Sequence, residues 1–402
     1  MVQNWKKVTY AINVFQIETN NMLRNKKKII RSVTVPMSIG FFEEFMMRLK
    51  GDGYEVVVVT SSGKELDAFK QRYPEEKTIE VSMERRISLT KDLKSLWQMI
   101  KVMRKEKPYM VHSMTPKAGL LTMISGWLTG VPVRIHTFTG LVWPTETGLK
   151  RKILMATDWI TCACATHVIP EGQGVMNDLQ HYITRKPMKV LGYGNVKGVD
   201  MDKFNPARFP DVKKDESKFR FVFVGRIVGD KGINELVEAF VRLNNEYPNT
   251  QLTLVGKYEA NLDPVKPETL KLIEENPCID ACGPKYGDDL LTEYMKSDCF
   301  VMPSYREGFP NTVMEAGAMG LPSIVTDING SREIIIHGEN GLIVPSKDTD
   351  ALNKAMKQML LDPSAREKMA TNARPLIDSR FEKDFVQECL INFYEEILNN
   401  RV

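Results

Sequence analysis

Two glutamates, Glu307 and Glu315, lie eight positions apart, the first in a predicted loop and the second in the first turns of a predicted helix. The apolar run 299–302 predicts a buried strand before this loop, and Pro310 predicts the first turn of a helix after it. Ligands of open α/β sheets bind at the carboxyl ends of strands, so both carboxylates are expected to face that edge. Free amides at the helix start favour a phosphate, and carboxylates accept hydrogen bonds from hydroxyls. A nucleotide-sugar carries both groups. The alternative is a solvated helix end with favourably placed glutamates.

A second cluster carries two cations on a glycine-bearing turn. The apolar run 221–224 predicts a buried strand, and the pattern after residue 232 predicts an amphipathic helix. Between them lie Gly225, Arg226 and Lys231. A guanidinium can bind two phosphate oxygens at once, and an ammonium adds a point charge. This turn is therefore a candidate phosphate-binding site.

Together, the Gly225-Arg226 and Lys231-Gly232 pairs and the later Glu-x7-Glu resemble the retaining glycosyltransferases of family 4. The resemblance covers nearly the whole chain after about residue 28. It implies an α/β chain with the GT-B fold, in which two Rossmann-like, doubly wound parallel-sheet domains face a cleft. It also implies that Arg226 and Lys231 bind the donor diphosphate, that Glu315 holds the ribose hydroxyls and that Glu307 lies near the transferred sugar.

The resemblance assigns further site residues. His136 is predicted just past a strand end, and it resembles the histidine that family members place against the donor sugar; a histidine satisfied by neighbouring backbone is the alternative. Gly40 would let the backbone approach the donor, although an ordinary turn explains it equally well. The catalytic set is Glu307, His136, Arg226 and Lys231. The donor-binding set is Gly40, Gly225, Arg226, Lys231, Tyr305, Gly308, Phe309, Pro310, Asn311, Thr312 and Glu315.

The length of 402 residues favours two domains. Residues 1–27 have no clear place in the fold and are predicted to be an N-terminal extension, since a start at Met22 would look like that of the family. Residues 28–198 are expected to bind the acceptor and residues 199–380 the nucleotide-sugar. Residues 381–402 are expected to form a helix that crosses back to the first domain.

The composition is that of a soluble globular protein, with 43% hydrophobic and 26% charged residues. No apolar run is long enough to span a bilayer, and the first residues lack the apolar core of a signal peptide. The six cysteines show no disulfide framework, which favours the cytoplasm. Their spacing near His167 matches no common zinc pattern. No metal or other cofactor is expected.

The charge is unevenly distributed along the chain. Residues 1–200 contain 30 Lys and Arg against 18 Asp and Glu, whereas residues 201–402 contain 25 against 33. The basic first half is expected to meet an anionic membrane surface, and no nucleic-acid motif appears. The helix predicted at 89–105 carries an apolar stripe that includes Leu93 and Trp97. Core packing of this stripe is favoured over a membrane-facing role. A basic cluster at 150–152, with Arg185 and Lys186, is a candidate for phosphate or headgroup binding.

The predicted activity is that of a hexosyltransferase of EC class 2.4. By resemblance, it moves an N-acetylhexosamine or hexose from a nucleotide-sugar, preferably UDP-linked, with retention of configuration. The expected acceptor is an undecaprenyl-diphosphate-linked saccharide in capsule, O-antigen or exopolysaccharide synthesis. The enzyme would act in the cytoplasm, peripherally on the inner face of the plasma membrane. A GT-B nucleotide-sugar epimerase and a non-catalytic sugar-nucleotide-binding protein remain as alternatives.

Overall fold

The computed structural model of the protein describes residues 28–84, 88–259 and 263–399. The predicted N-terminal extension, residues 1–27, lies outside the described residues. The chain divides into two compact units. The first unit runs to Pro170 and includes Met176–Lys189 and the chain from Leu390 onwards; the second contains Glu171–Val175 and Val190–Cys389. The functional domain boundaries predicted at 198/199 and 380/381 stay predictions.

The first unit contains a six-stranded parallel sheet. Valine-rich and isoleucine-rich runs form its central strands, as expected for strands covered on both faces. The order is β3-β2-β1-β4-β5-β6. The strands are β1 (Lys28–Ser32), β2 (Glu55–Thr60), β3 (Lys77–Glu80), β4 (Met110–Met114), β5 (Val133–Phe138) and β6 (His167–Pro170).

Helices connect these strands, as parallel pairing requires. They are α1 (Glu43–Gly51), α2 (Lys64–Arg72), α3 (Leu89–Glu106), α4 (Pro116–Leu128) and α5 (Gly148–Cys164), and a further helix, α6 (Gln173–Tyr182), follows β6. Short 3₁₀ turns occur at Pro36–Phe41 and Trp143–Thr145. Helix α4 packs against both α3 and α5, so these three helices are neighbours.

The second unit repeats the architecture with the sheet order β12-β11-β10-β7-β8-β9, again parallel. Its strands are β7 (Phe219–Val224), β8 (Thr250–Val255), β9 (Ile279–Gly283), β10 (Cys299–Met302), β11 (Ser323–Thr326) and β12 (Gly341–Val344). Its helices are α7 (Ile233–Glu246), α8 (Pro267–Glu275), α9 (Gly287–Met295), α10 (Asn311–Ala318), α11 (Ser331–Ile334), α12 (Thr349–Leu361) and α13 (Pro363–Phe381). The 3₁₀ turns are Pro206–Arg208 and Gly229–Lys231. This confirms the predicted α/β class.

The last helix, α14 (Lys383–Asn399), contributes residues to both units, because the division falls at Cys389/Leu390 within it. Its second half belongs to the first unit. There, the Tyr394 hydroxyl accepts a hydrogen bond from the buried Arg31 guanidinium at 2.6 Å. No helix in the described ranges is long and apolar enough to cross a membrane.

The orientation of α3 differs from the favoured prediction. Its buried face consists of Ser95, Met99, Val102 and neighbouring residues, whereas Leu93 is 66% and Trp97 is 57% exposed. Apolar residues cover more than one face of this helix, so helical spacing did not identify the side that packs on the sheet. Core packing is therefore wrong for Leu93 and Trp97.

Candidate functional site

The turn after β7 is shaped by close backbone packing. The Gly225 amide donates a hydrogen bond to the Val255 carbonyl at 3.0 Å. A Cβ on Gly256 would lie only 1.7 Å from the Gly225 carbonyl oxygen, so no side chain fits there. The turn presents Arg226, whose guanidinium lies 3.0 Å from the Glu259 carboxylate and whose side chain is 41% exposed. A partly exposed pair of this kind binds weakly, so Arg226 can exchange Glu259 for another anion.

Gly232 brings the start of α7 against the end of β10. Its φ of 73° lies in the left-handed region, and a Cβ there would lie 2.0 Å from the Pro303 carbonyl oxygen. Only glycine satisfies both constraints. This close approach places Lys231 beside the loop that follows β10.

Lys231 and Glu307 form an ion pair, with side chains 14% and 13% exposed. The sequence placed these two residues 76 positions apart, and the fold joins them. Partial burial strengthens the attraction, because solvent screens the two charges less than at the surface. The fold thus brings together the cation predicted to bind phosphate and the carboxylate predicted to lie near the sugar.

The rest of the loop is tied to the start of α7. The Tyr305 hydroxyl donates to the two Glu235 oxygens at 2.7 and 2.8 Å, and burial raises the pKa of Tyr305. Arg306 lies 3.0 Å from Asp230. These contacts fix the part of the loop that directly precedes Glu307.

Glu315 lies on the predicted helix, α10, which begins one residue after Pro310. One of its oxygens accepts a hydrogen bond from the Tyr294 hydroxyl at 3.4 Å. Burial raises the pKa of Glu315, and the charges of Lys197 and Lys203 oppose that effect. Glu315 is thus an enclosed carboxyl group suited to bind hydroxyls.

The remaining predicted donor-binding positions shape the loop more than they expose side chains. The Phe309 ring is buried, with its centre 5.3 Å from that of Phe381, and Pro310 is also buried. The Gly308 carbonyl oxygen would lie 2.2 Å from a Cβ on Gly330. The Asn311 side-chain oxygen accepts a hydrogen bond from the Asn195 side chain at 3.2 Å. The Thr312 hydroxyl faces the Met302 sulfur at 3.9 Å. Their roles in ligand binding stay predictions.

Gly40 and His136 lie in the first unit. Gly40 is exposed in the 3₁₀ turn, and a Cβ there would meet nothing within 4 Å. His136 is buried inside β5 and not past its end, so its predicted position is wrong. Its Nδ1 lies 2.8 Å from the Ser113 hydroxyl, and burial lowers the pKa of His136 to about 3. The strand continues to Phe138, so Thr139 is the first residue beyond it.

Several acidic residues at the site were not predicted. Asp230, Glu235 and Glu259 each bind one of the predicted loop or turn residues. Asp230 had a visible signal, since it lies between Arg226 and Lys231 in the sequence. Glu171 is a buried carboxyl group directly after β6, and only its glycine-flanked position could have drawn notice.

Lys186 is one of the basic residues that the sequence suggested for phosphate or headgroup binding. Its ammonium instead donates hydrogen bonds to the Cys162 and Ala165 carbonyls at the end of α5. This is a common way to satisfy the last carbonyls of a helix.

In the described part of the chain, no group of three or more His, Cys, Asp or Glu side chains is arranged to hold a metal ion. The expectation of a metal-independent reaction stays a prediction.

Two family models match the chain in series. The Glycosyl transferase 4-like domain matches residues 41–194, and the Glycosyl transferases group 1 domain matches residues 205–375. Together they cover most of the chain.

Named relatives agree with these matches. The capsular polysaccharide biosynthesis glycosyltransferase CapM of Staphylococcus aureus is 32% identical, over 92% of this chain and 98% of that protein. The UDP-Gal:alpha-D-GlcNAc-diphosphoundecaprenol alpha-1,3-galactosyltransferase of Escherichia coli is 29% identical, over 74% of this chain and 78% of that protein. The structure of Anabaena HepE with UDP and glucose superposes with a TM-score of 0.75, at 16% identity, over 92% of this chain and all of that one. The two-sheet architecture and these matches confirm the GT-B fold, and the chain belongs to the glycosyltransferase family that combines a 4-like domain with a group 1 domain.

Proposed function

We propose that this glycosyltransferase moves an N-acetylhexosamine or hexose from a UDP-sugar to an undecaprenyl-diphosphate-linked saccharide, with retention of configuration. The product would be a capsule, O-antigen or exopolysaccharide precursor. The observation that carries the proposal is the Lys231–Glu307 pair in the second unit. The names of the S. aureus and E. coli relatives support the pathway and the lipid-linked acceptor. The epimerase and binding-protein alternatives are not favoured by these relatives.

Four charged side chains of the second unit have a part in holding the donor. Arg226 exchanges Glu259 for the diphosphate, and Lys231 adds a second cation. Glu315 accepts hydrogen bonds from the ribose hydroxyls, and Glu307 orients the transferred sugar. Charge-assisted hydrogen bonds contribute roughly 1.5–3 kcal/mol each, so three of them supply much of a micromolar affinity, which corresponds to about −8 kcal/mol.

In the transfer step, the bond from the anomeric carbon to the diphosphate oxygen breaks and a bond to the acceptor oxygen forms on the same face. The acceptor hydroxyl loses its proton to the departing diphosphate. Negative charge grows on that diphosphate, and Arg226, Lys231 and the amides at the start of α10 stabilise it. Glu307 is not assigned as a covalent nucleophile. These groups supply the stabilisation without a metal ion.

The experiment is a screen of UDP-, GDP- and ADP-sugars for nucleotide release without added metal, with and without lipid diphosphates extracted from membranes. Release from one UDP-sugar that depends on the lipid supports the proposal. Arg242→Ala is a matched control for Arg226→Ala, because Arg242 pairs with acidic groups on an exposed helix face of the same unit. Release without any lipid indicates an epimerase or hydrolase, and binding without release indicates a sugar-nucleotide-binding protein.

The membrane contact is proposed on the layer of α3, α4 and α5. Each helix carries an exposed tryptophan, namely Trp97, Trp127 and Trp159. The Lys101 ammonium lies 3.3 Å from the centre of the Trp97 ring. The sequence adds lysines and arginines on α3 and at 150–152. Tryptophan with basic neighbours suits an anionic lipid interface.

Vesicle flotation tests this contact with the full chain. Wild type is expected to bind vesicles that contain anionic phospholipid and to bind neutral vesicles at least about tenfold more weakly, because each basic residue near the surface contributes roughly 1 kcal/mol. Replacing the three tryptophans by serine should abolish binding. Trp143→Phe is the control, since that tryptophan is buried. Equal flotation of the triple variant and wild type would place the membrane contact elsewhere.

A further inference from the structure

Two adjacent ion pairs join the turn after β7 to the loop after β10. Asp230 directly precedes Lys231 in the turn, and Arg306 directly precedes Glu307 in the loop. Lys231 pairs with Glu307, and the Arg306 guanidinium lies 3.0 Å from the Asp230 carboxylate. The two pairs have opposite polarity, so an acid and a base are neighbours on each segment. The proposed function gives no role to the pair of Arg306 and Asp230.

Backbone hydrogen bonds hold Asp230 in this position. Its amide donates to an Asp263 carboxylate oxygen at 2.5 Å, and its carbonyl accepts from the Tyr305 amide at 2.8 Å. The Asp230 side chain is 20% exposed. Its Oδ2 binds Arg306, whereas its Oδ1 is buried and has no hydrogen-bond partner among the described residues. Solvent therefore screens this carboxylate poorly, and Arg306 is the cation that neutralises it.

Carboxylates outnumber cations at these two segments. The cations that lie on them or against them in the described chain are Arg226, Lys231, Arg306 and Lys347. The carboxylates that lie on them or bind them there are Asp230, Glu235, Glu259, Asp263 and Glu307. A diphosphate would add further negative charge. Its binding therefore depends on how far the carboxylates beside it are neutralised.

We propose that Arg306 is a positioning residue of the donor site: by neutralising Asp230, it lets the neighbouring Lys231 ammonium attract a nucleoside diphosphate. The inference rests on the proposed function, because it takes the diphosphate to bind at Lys231. Consecutive Cα atoms are about 3.8 Å apart, so the Asp230 carboxylate would lie within about 10 Å of that diphosphate. At about 10 Å in water, one unit charge changes the binding of a charge of about −2 about fourfold, and the effect is larger where solvent is excluded.

Amide variants separate the charge of the pair from its hydrogen bond. In Arg306→Gln the side chain can still donate to Asp230, but the carboxylate is no longer neutralised. The Kd for UDP, measured by calorimetry of the full chain at low salt, should rise at least about fourfold. This rise should shrink in about 1 M salt, which screens charges over a few ångströms. An unchanged Kd in folded Arg306→Gln overturns the inference.

Asp230→Asn distinguishes neutralisation from a purely structural tie. Its side-chain oxygen can still accept from Arg306, and the negative charge is gone, so UDP should bind at least as tightly as to wild type. A tie that needs the full ion pair would instead weaken UDP binding in this variant, and that result overturns the inference even if Arg306→Gln does not fold. The double variant Arg306→Gln/Asp230→Asn should bind UDP within about twofold of wild type. A double variant as weak as Arg306→Gln would show that Arg306 contacts the diphosphate itself, which also overturns the inference.

The matched controls are Arg242→Gln and Asp350→Asn. This pair lies in the same unit at 2.7 Å, but its side chains are 50% and 77% exposed. Neither variant should change the Kd for UDP, and a change as large as that of Arg306→Gln would overturn the inference. Wild type that binds none of UDP, GDP and ADP would contradict the proposed function and this inference together. Binding by wild type with the same Kd in Arg306→Gln contradicts the inference alone.

Discussion

The Lys231–Glu307 pair allows stability and activity to be separated. Lys231→Met leaves the Glu307 carboxylate, 13% exposed, without its cation. Breaking a fully buried pair costs about 3–5 kcal/mol and an exposed pair about 0–1. At this burial we expect a loss of about 2 kcal/mol. For a unit of roughly 200 residues, that lowers the Tm by about 4–8 °C.

The double variant Lys231→Met/Glu307→Gln removes both charges, so no carboxylate remains unpaired. It should recover at least half of the lost stability, whereas its turnover should stay at least about a hundredfold below wild type, as for the single variant. Thermal unfolding and nucleotide release measure the two effects separately. A double variant whose stability loss is the sum of the two single losses would refute the pairing. Turnover near wild type in either variant would refute its role.

The control for this cycle is Lys28→Met in the first unit. Lys28 lies 2.9 Å from Glu106, with side chains 15% and 2% exposed, which closely matches the burial of Lys231. Lys77 also binds Glu106, so the loss of stability should be smaller. Turnover at a temperature where the variant is folded should equal that of wild type.

Three further predictions concern single side chains. Arg226→Ala should lower kcat/KM at least about a hundredfold because a charge contact to the leaving diphosphate is lost, while Arg242→Ala should not change it; equal values for both variants would contradict the assignment. Tyr305→Phe removes the hydroxyl that binds Glu235, so urea unfolding should show a loss of about 1–3 kcal/mol, and unchanged stability would show that this contact does not hold the loop. Burial raises the pKa of Asp158 to about 7 from 3.8. The folded state therefore binds this proton more tightly. The contribution of Asp158 to stability is fully present below about pH 4 and is lost as the pH rises to about 7, so Asp158→Asn should be more stable than wild type at pH 8 by a few kcal/mol but not at pH 4. A gain of equal size at both pH values would contradict the raised pKa.

The parts of the fold that the sequence predicted have strong local signals. The apolar run 299–302 became β10, and Pro310 directly precedes α10, because a fully buried strand and a proline-started helix depend little on distant residues. The positions of Glu307 on a loop and Glu315 on a helix follow from those boundaries.

The unpredicted features depend on distant packing. The face of α3 that packs on the sheet, and hence the exposure of Trp97, could not be chosen because apolar residues occur all around the helix. His136 lies inside β5 because the strand continues to Phe138, and strand ends are poorly marked by alternation. The position of Glu171 depends on a segment distant in sequence, because a Cβ on Gly194 would lie 2.6 Å from its carbonyl oxygen.

The central claim is that the charged groups of the second unit hold a UDP-sugar for transfer with retention. The most direct measurement is nuclear magnetic resonance of the product formed from an α-linked UDP-sugar and a lipid-diphosphate saccharide. We predict an α-glycosidic linkage, formed by wild type and reduced at least about a hundredfold in Glu307→Gln. A β linkage, or an α product formed at the wild-type rate by Glu307→Gln, would contradict this account.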